Sequence, residues 1–112
     1  MTLKKPDKLF SNKNLQMFFK IFNRRYFGNK IPAMHVRFGK IKEEGLFRED
    51  GIIVNSGLRR FPDLASLVLL HEMNHAYLEA NGYNGVMDGG HSTIFHVGID
   101  RLYKAGAYEG IL

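Results

Sequence analysis

The clearest pattern in this chain is the helical spacing of its apolar residues, which recurs in three stretches. The first stretch predicts an amphipathic helix over residues 12–27 that Gly28 ends, and its apolar side carries Leu15, Phe18, Phe19, Phe22 and Tyr26. The second predicts a helix that begins around Pro62, because proline and acidic residues favour a helix start, and ends near Gly82. The third predicts a helix after His91-Ser92-Thr93, with the apolar residues Ile94, Phe95, Ile99, Leu102 and Tyr103.

Between the first two helices the spacing changes to that of short strands. Residues 34–38 alternate between apolar and polar or small side chains, which predicts a half-buried strand. Residues 46–48 and 51–55 predict two more strands, joined by a hairpin turn at Asp50-Gly51, while residues 43–45 are typical of a turn. We expect a small meander of two to three strands, and an α+β domain with three main helices.

The length and composition of the chain limit its organisation. A chain of 112 residues forms one domain with a single core. Residues 1–11 lack periodicity, so we predict a flexible N-terminal arm there and a folded domain over 12–112. The chain has no cysteine, which excludes disulfides and thiolate ligands. The polar residues 1–14 do not match a secretory signal, and the apolar run 67–70 is too short to cross a bilayer. We therefore expect a cytoplasmic, monomeric protein outside the membrane.

The positive charge of the chain is concentrated near its N-terminus. The net charge is +5, but residues 1–30 alone carry +7, because Asp7 is the single acid beside the basic residues Lys4, Lys5, Lys8, Lys13, Lys20, Arg24, Arg25 and Lys30. Such a basic segment predicts a polyanionic partner, first of all DNA, bound through the first helix. A well-solvated amphipathic helix is the alternative interpretation.

The segment His71-Glu72-Met73-Asn74-His75 lies within the second predicted helix. Two histidines four residues apart project from the same face of a helix, so their rings can bind one metal ion. Glu72 points away from that axis, where it can take a proton from a water molecule bound to the metal. A sequence of this composition would contain the pattern by chance about once in a hundred cases.

A catalytic zinc ion takes three protein ligands and keeps one position for water, so a third ligand is needed. The candidates are His35, Glu79, Asp88, His91 and His96. Glu79 lies about 12 Å of helical rise beyond His71, so a straight helix cannot bring both to one metal ion. His35 is expected to face solvent, because its neighbours on the predicted strand face the core.

His91 and His96 are better placed, at the start of the third helix. Residues five positions apart on one helix point about 140° apart, so they cannot both bind the metal. His91 lies at a glycine-rich junction between loop and helix, where backbone freedom lets a ligand be aimed, whereas His96 lies inside the helix beside Phe95. The pattern favours His91, and Asp88 stays open as a ligand or as a partner that orients one.

The chain resembles a SprT-like zinc metallopeptidase domain, of the Spartan-related family, over about residues 12–105. The likeness rests on the HExxH helix and a later H-x-x-x-F pattern, His91-Ser92-Thr93-Ile94-Phe95, and extends to residues 21–32 and 53–55. It implies a zincin-like fold, zinc ligands at His71, His75 and His91, Glu72 as general base, and no role for His96. Where family members usually have glycine, this chain has Ser92, which can still cap a helix.

Motif and resemblance together predict a zinc-dependent metalloendopeptidase that hydrolyses proteins or peptides, including DNA-associated proteins. Glu72 would take a proton from the attacking water and pass it to the leaving nitrogen, while Tyr77, Tyr83 and Tyr103 stay open as stabilisers of the oxyanion. Two alternatives stay open: a zinc hydrolase acting on nucleic acids or small amides, and a non-catalytic, zinc-stabilised module that binds nucleic acid. A bacterial or phage origin fits a short chain of this kind.

Overall fold

The computed structural model describes residues 9–82 and 93–107, with side chains over 9–82 and 99–107. These residues form an α+β domain of three α-helices, a short 3-10 helix and a three-stranded mixed sheet, which confirms the predicted fold class. In chain order the elements are α1 (Asn12–Tyr26), β1 (His35–Gly39), β2 (Gly45–Arg48), β3 (Gly51–Asn55), the 3-10 helix (Ser56–Arg60), α2 (Pro62–Ala80) and α3 (Thr93–Lys104). Within this part of the chain, no helix is both long and apolar enough to cross a membrane.

The order of the strands in the sheet is β1-β3-β2, so the expected meander is wrong. β3 lies in the centre, parallel to β1 and antiparallel to β2, and residues 40–44 carry the chain past the end of β3. Asn55 holds this crossover, because its side-chain amide donates to the carbonyls of Ile41 and Glu43, both at 2.9 Å. Its backbone N–H donates to the carbonyl of Glu44 at 2.8 Å. The predicted hairpin between β2 and β3 is confirmed.

The core lies between one face of the sheet and the helices. Alternate strand residues face it, and Val36, Ile52 and Val54 are fully buried there. α2 packs across β2 and β3 and is buried on most of its circumference. Its buried apolar residues are Ala65, Leu69, Leu70, Met73, Ala76 and Leu78. Because α2 carries the HExxH segment, the main packing element of the domain also fixes the candidate site.

Residues 10 and 11 pack and hydrogen-bond with the rest of the described domain. Ser11 caps α1: its hydroxyl accepts from the backbone N–H of Asn14, as an N-cap side chain does. Phe10 is buried against Phe18 and Phe38, with ring centroids 5.2 and 6.1 Å away, and its backbone N–H donates to the Arg59 carbonyl at 2.9 Å. These two residues therefore belong to the domain and not to a loose arm. Residues 1–8 lie outside the described part of the chain.

Candidate metal centre

The two histidines of the HExxH segment lie one turn apart near the middle of α2. Their ring centroids are 5.2 Å apart, with the ring planes at 70°. His75 is 7% exposed and His71 is half-buried at the surface of a cleft. Two rings that each place a nitrogen about 2.1 Å from a tetrahedral zinc ion have centroids about 5 Å apart. The separation of the two rings is therefore the one that a shared zinc ion requires, and the assignment of both histidines as ligands stays a prediction.

The other candidate ligands are distributed differently. His35 is exposed on β1, as predicted. Glu79 is exposed and lines a separate cavity at the C-terminal end of α2, so it lies at the surface, as the helix geometry predicts. Within residues 9–82 and 99–107, no three His, Asp or Glu side chains come close enough to hold a metal ion. His91 and Asp88 lie outside the described residues, as does the side chain of His96, and the third ligand stays a prediction.

Glu72 is the buried carboxyl of the site. It is 7% exposed, and its burial raises the pKa of the carboxyl from 4.5 to about 7. A carboxyl in this range can both accept and release a proton near neutral pH, which is what a general base followed by a general acid must do. The environment of Glu72 therefore suits the role that the sequence pattern predicts for it.

A cleft of about 370 Å³ opens beside Glu72, between β2 and α2. Its walls are formed by Glu44 and Gly45 on one side and by Leu67, Val68, His71 and Glu72 on the other. The cleft thus brings the HExxH segment next to the first residue of an edge strand. Residues 43–45 were expected to form a turn, but Gly45 is instead the first residue of β2. The sequence pattern did not identify Gly45 as a residue of the site.

Among the described residues, no strand pairs with the edge of β2 that faces away from β3, and the pairing register identifies the outward peptide groups of that edge. Because the N–H of Asn55 donates to the carbonyl of Glu44, those two residues form a hydrogen-bonded pair of the antiparallel ladder. Such pairs alternate with pairs whose peptide groups point outward. The N–H and C=O groups of Gly45 and Phe47 therefore point away from the sheet. Gly45 lies at the cleft, and Phe47 lies two residues further along β2.

The tyrosines that the sequence left open as oxyanion stabilisers differ in their surroundings. The ring of Tyr77 packs on Phe27 with centroids 5.5 Å apart, and the Arg101 guanidinium lies 5.4 Å from its centroid. Arg101 also donates to the carbonyl of Tyr26 at 2.8 Å, so it clamps α3 to the other two helices. Tyr103 is exposed on α3, and Tyr83 lies outside the described residues. The packing gives Tyr77 a structural role.

The basic residues of α1 lie on its exposed side. Lys13, Lys20 and Arg24 are exposed and fall within about 40° of one another around the helix axis. Arg25 and Lys30 are also exposed nearby. Of the eight basic residues in the N-terminal segment, the remaining three precede residue 9 and lie outside the described chain. The described part of the segment thus presents one row of cations to solvent.

Comparisons with protein-family models, with curated proteins and with solved structures give no match. The likeness to the SprT-like domain therefore stays a prediction that rests on the residues quoted for it. What the structure contributes independently is the position of His71 and Glu72 on the wall of the cleft, with the His75 ring 5.2 Å from that of His71.

Proposed function

We propose that this protein is a SprT-like, zinc-dependent metalloendopeptidase. The observation that carries the proposal is a buried carboxyl with a raised pKa, Glu72, on the same helix turn as two histidines spaced for one metal ion and beside a strand edge. Metal ligands, a base and a surface that can hold extended backbone are the three parts that peptide hydrolysis of this type needs.

The zinc site of the proposal consists of His71 and His75, with His91 as the third ligand that the resemblance implies. When bound, a zinc ion would polarise the scissile carbonyl and lower the pKa of a water molecule to about 7. Glu72 would take the proton of the attacking water, since its carboxyl is buried beside the cleft, and would then deliver it to the leaving nitrogen.

The substrate side of the proposal uses the edge of β2. An extended peptide can add to a free strand edge through main-chain hydrogen bonds, with little dependence on its sequence. The outward N–H and C=O groups of Gly45 and Phe47 supply those partners next to Glu72. We therefore propose unfolded or extended segments of proteins as the substrate class, with DNA-associated proteins first among them, which implies an intracellular setting.

The decisive experiment compares Glu72→Gln with Glu79→Gln, an exposed glutamate two turns further along the same helix. Bound zinc is measured by metal analysis, and cleavage of an unfolded protein is followed with and without duplex DNA. We expect the parent and Glu79→Gln to bind zinc and cleave, and Glu72→Gln to bind zinc without cleaving. If Glu72→Gln cleaves as fast as the parent, Glu72 is not the general base.

A second candidate function is a non-catalytic, zinc-stabilised module that binds nucleic acid. The row of exposed cations at Lys13, Lys20 and Arg24 favours it. This candidate predicts stoichiometric zinc and salt-dependent DNA binding without any cleavage by the parent protein. The same assay therefore separates the two functions.

The DNA contact itself has a direct test. Replacing Lys20 and Arg24 together by glutamine should reduce the slope of log affinity against log salt by about 2, since each phosphate contact contributes about 0.9 for duplex DNA. The paired change of Lys40 and Lys42 to glutamine, two exposed cations between β1 and β2, is the matched control. Equal slopes for the two double variants would place the DNA contact elsewhere.

A further inference from the structure

β2 and α2 approach each other most closely at Gly45. A Cβ atom on this residue would lie 2.5 Å from Cγ1 of Val68, 3.1 Å from Cγ of Glu72 and 3.2 Å from Oε2 of the same glutamate. Carbon atoms at van der Waals contact are about 3.5–4.0 Å apart. Any side chain at this position would therefore displace the valine, the glutamate or the strand.

Glycine is required at position 45 because there is no space for a side chain, and not because of the backbone conformation. Gly51, at the other end of the hairpin, has φ of +156°, and a Cβ there would overlap the carbonyl of His35. Gly45 is not among the residues with positive φ, so its backbone conformation is open to alanine. A substitution at Gly45 thus reports on the space between the strand and the helix and not on backbone strain.

We infer that Gly45 is a positioning residue for Glu72, an inference that rests on the proposed function. Val68 and Glu72 are four residues apart on α2, so both project toward β2. The missing side chain lets the strand backbone serve as a wall of the pocket that buries the Glu72 carboxyl. With that wall in place, the carboxyl is held beside the cleft where a substrate peptide would lie.

The first test measures peptide cleavage by Gly45→Ala. We expect kcat to fall about tenfold or more, since misplacing a reacting group by about 1 Å can cost up to 100-fold. KM and bound zinc should change little, because the outward peptide groups and the two histidines remain. The matched control is Gly39→Ala on β1, whose Cβ would also meet a methyl group, Cγ2 of Ile53, at 2.9 Å but on the opposite face of the sheet. Equal losses of kcat in the two variants would overturn the inference.

The second test does not depend on activity. Unfolding of the full chain is measured for Gly45→Ala in the parent background and in the Glu72→Ala background. We expect Gly45→Ala to lower the unfolding temperature less when Glu72 is truncated, because the contacts at 3.1 and 3.2 Å are then relieved. Gly39→Ala should lower it equally in both backgrounds. Equal effects of Gly45→Ala in the two backgrounds would refute the contact.

If Gly45→Ala folds poorly, a second substitution can relieve the steric overlap. Val68→Ala removes Cγ1, the atom nearest to the added methyl group, so Gly45→Ala combined with Val68→Ala should recover part of the unfolding temperature that Gly45→Ala loses, while kcat stays low. Full recovery of kcat in this double variant would show that only Val68 is displaced, and would overturn the role of Gly45 toward Glu72. If the parent cleaves no peptide although the coupling to Glu72→Ala is present, the proposed function is wrong and Gly45 is a packing position alone.

Discussion

The two edges of the sheet differ in the hydrogen bonds that other residues make to their outward peptide groups. Along β1, side chains of α1 bind the free peptide groups: Gln16 accepts from the N–H of Val36 at 3.0 Å and donates to the carbonyl of Met34 at 3.1 Å. Asn12 accepts from the N–H of Phe38 at 2.8 Å. Along β2, no described residue hydrogen-bonds to the outward groups of Gly45 and Phe47. Within residues 9–82 and 93–107, one edge is thus closed by side chains of α1, while the other, beside Glu72, has no such partners.

This contrast has a physical reason and a functional meaning. An unpaired strand edge invites pairing with another chain, and proteins normally close or shield such edges. α1 closes the β1 edge with amide side chains, which supply both a donor and an acceptor. The edge without such partners lies next to the cleft with the HExxH segment, where the proposed peptidase activity would require pairing with a substrate chain. Four predictions test the difference between the two sides.

The largest effect is expected from removing a proposed zinc ligand on the open side. His75→Ala should weaken zinc binding by more than about 100-fold, since changes to the outer partners of metal ligands alone cost about 10–100-fold. Cleavage should be lost with the metal. His35→Ala, an exposed histidine on the closed edge, is the control and should keep both zinc and activity. Stoichiometric zinc in His75→Ala would contradict the assignment.

The second prediction concerns the pH dependence of stability. Burial raises the pKa of Glu72 from 4.5 to about 7, so between these values the folded state of the metal-free chain holds a proton that the unfolded state has lost. The stability that this proton contributes is complete below pH 4.5 and is lost as the pH rises toward 7. The loss is about 3 kcal/mol in free energy of unfolding, at 1.36 kcal/mol for each pH unit.

Urea denaturation of the metal-free chain at pH 4.5 and pH 8 measures this term. Glu72→Gln, which cannot ionise, should be less affected by the pH change than the parent by about 3 kcal/mol. An amide on the closed edge gives the comparison, since truncation of Gln16 should shift stability equally at both pH values. A difference between the parent and Glu72→Gln that stays constant with pH would show that burial of the carboxyl is not maintained.

The third prediction addresses the closed edge. Gln16→Ala removes two hydrogen bonds and leaves the N–H of Val36 and the carbonyl of Met34 without their partner, so the free energy of unfolding should fall by about 2 kcal/mol. The kcat for peptide cleavage should stay at the parent value. Lys20→Ala, an exposed residue on the same helix, is the control and should change stability by less than about 0.5 kcal/mol. A loss of kcat in Gln16→Ala would show that the β1 edge also affects peptide cleavage, contrary to this prediction.

The smallest effect is expected from the substrate. A peptide N-methylated at a single backbone amide cannot donate the hydrogen bond that pairs it to β2. If that amide faces the outward carbonyl of Gly45 or Phe47, KM should rise about three- to tenfold, in line with about 1 kcal/mol for one hydrogen bond. N-methylation at the next amide, which faces away from the strand, should have little effect. If KM does not alternate when successive amides of the peptide are N-methylated one at a time, the peptide does not pair with β2.

Local patterns in the sequence predicted the elements of this fold well. Helical spacing over 12–27 gave the observed α1, and the segment 51–55 is β3 in the structure. The proline start and glycine stop also matched the ends of α2. Each of these signals depends on residues near one another in the chain, whose conformation is set by backbone preference and by the side on which apolar groups lie.

The features that the sequence did not predict depend on contacts between distant segments. Nothing local shows that β1 pairs with β3, because that pairing depends on the crossover held by Asn55. The burial of Phe10 depends on Phe38 from another element. An isolated glycine in a strand can signal a close backbone approach, but Gly45 follows two glutamates and was interpreted as part of a turn.

The candidate site shows the same division. Helical spacing alone was sufficient to bring His71 and His75 together and to place Glu72 beside them. The cleft depends on how far β2 lies from α2, which only tertiary packing determines. The role of His91 stays a prediction, since it rests on the pattern at the start of the third helix and on the resemblance.

The crossover over the end of β3 has a consequence for how the chain reaches its fold. β2 and β3 are joined by two residues, so their hairpin can close early and at low entropic cost. β1 pairs with β3 across the intervening strand β2 in the sequence, so we expect its docking to be a later and slower step. Removing the side-chain hydrogen bonds from Asn55 to Ile41 and Glu43 should therefore slow refolding more than it speeds unfolding. We therefore expect the kinetic bottleneck of folding at residues 40–44, the loop that leads directly into the cleft.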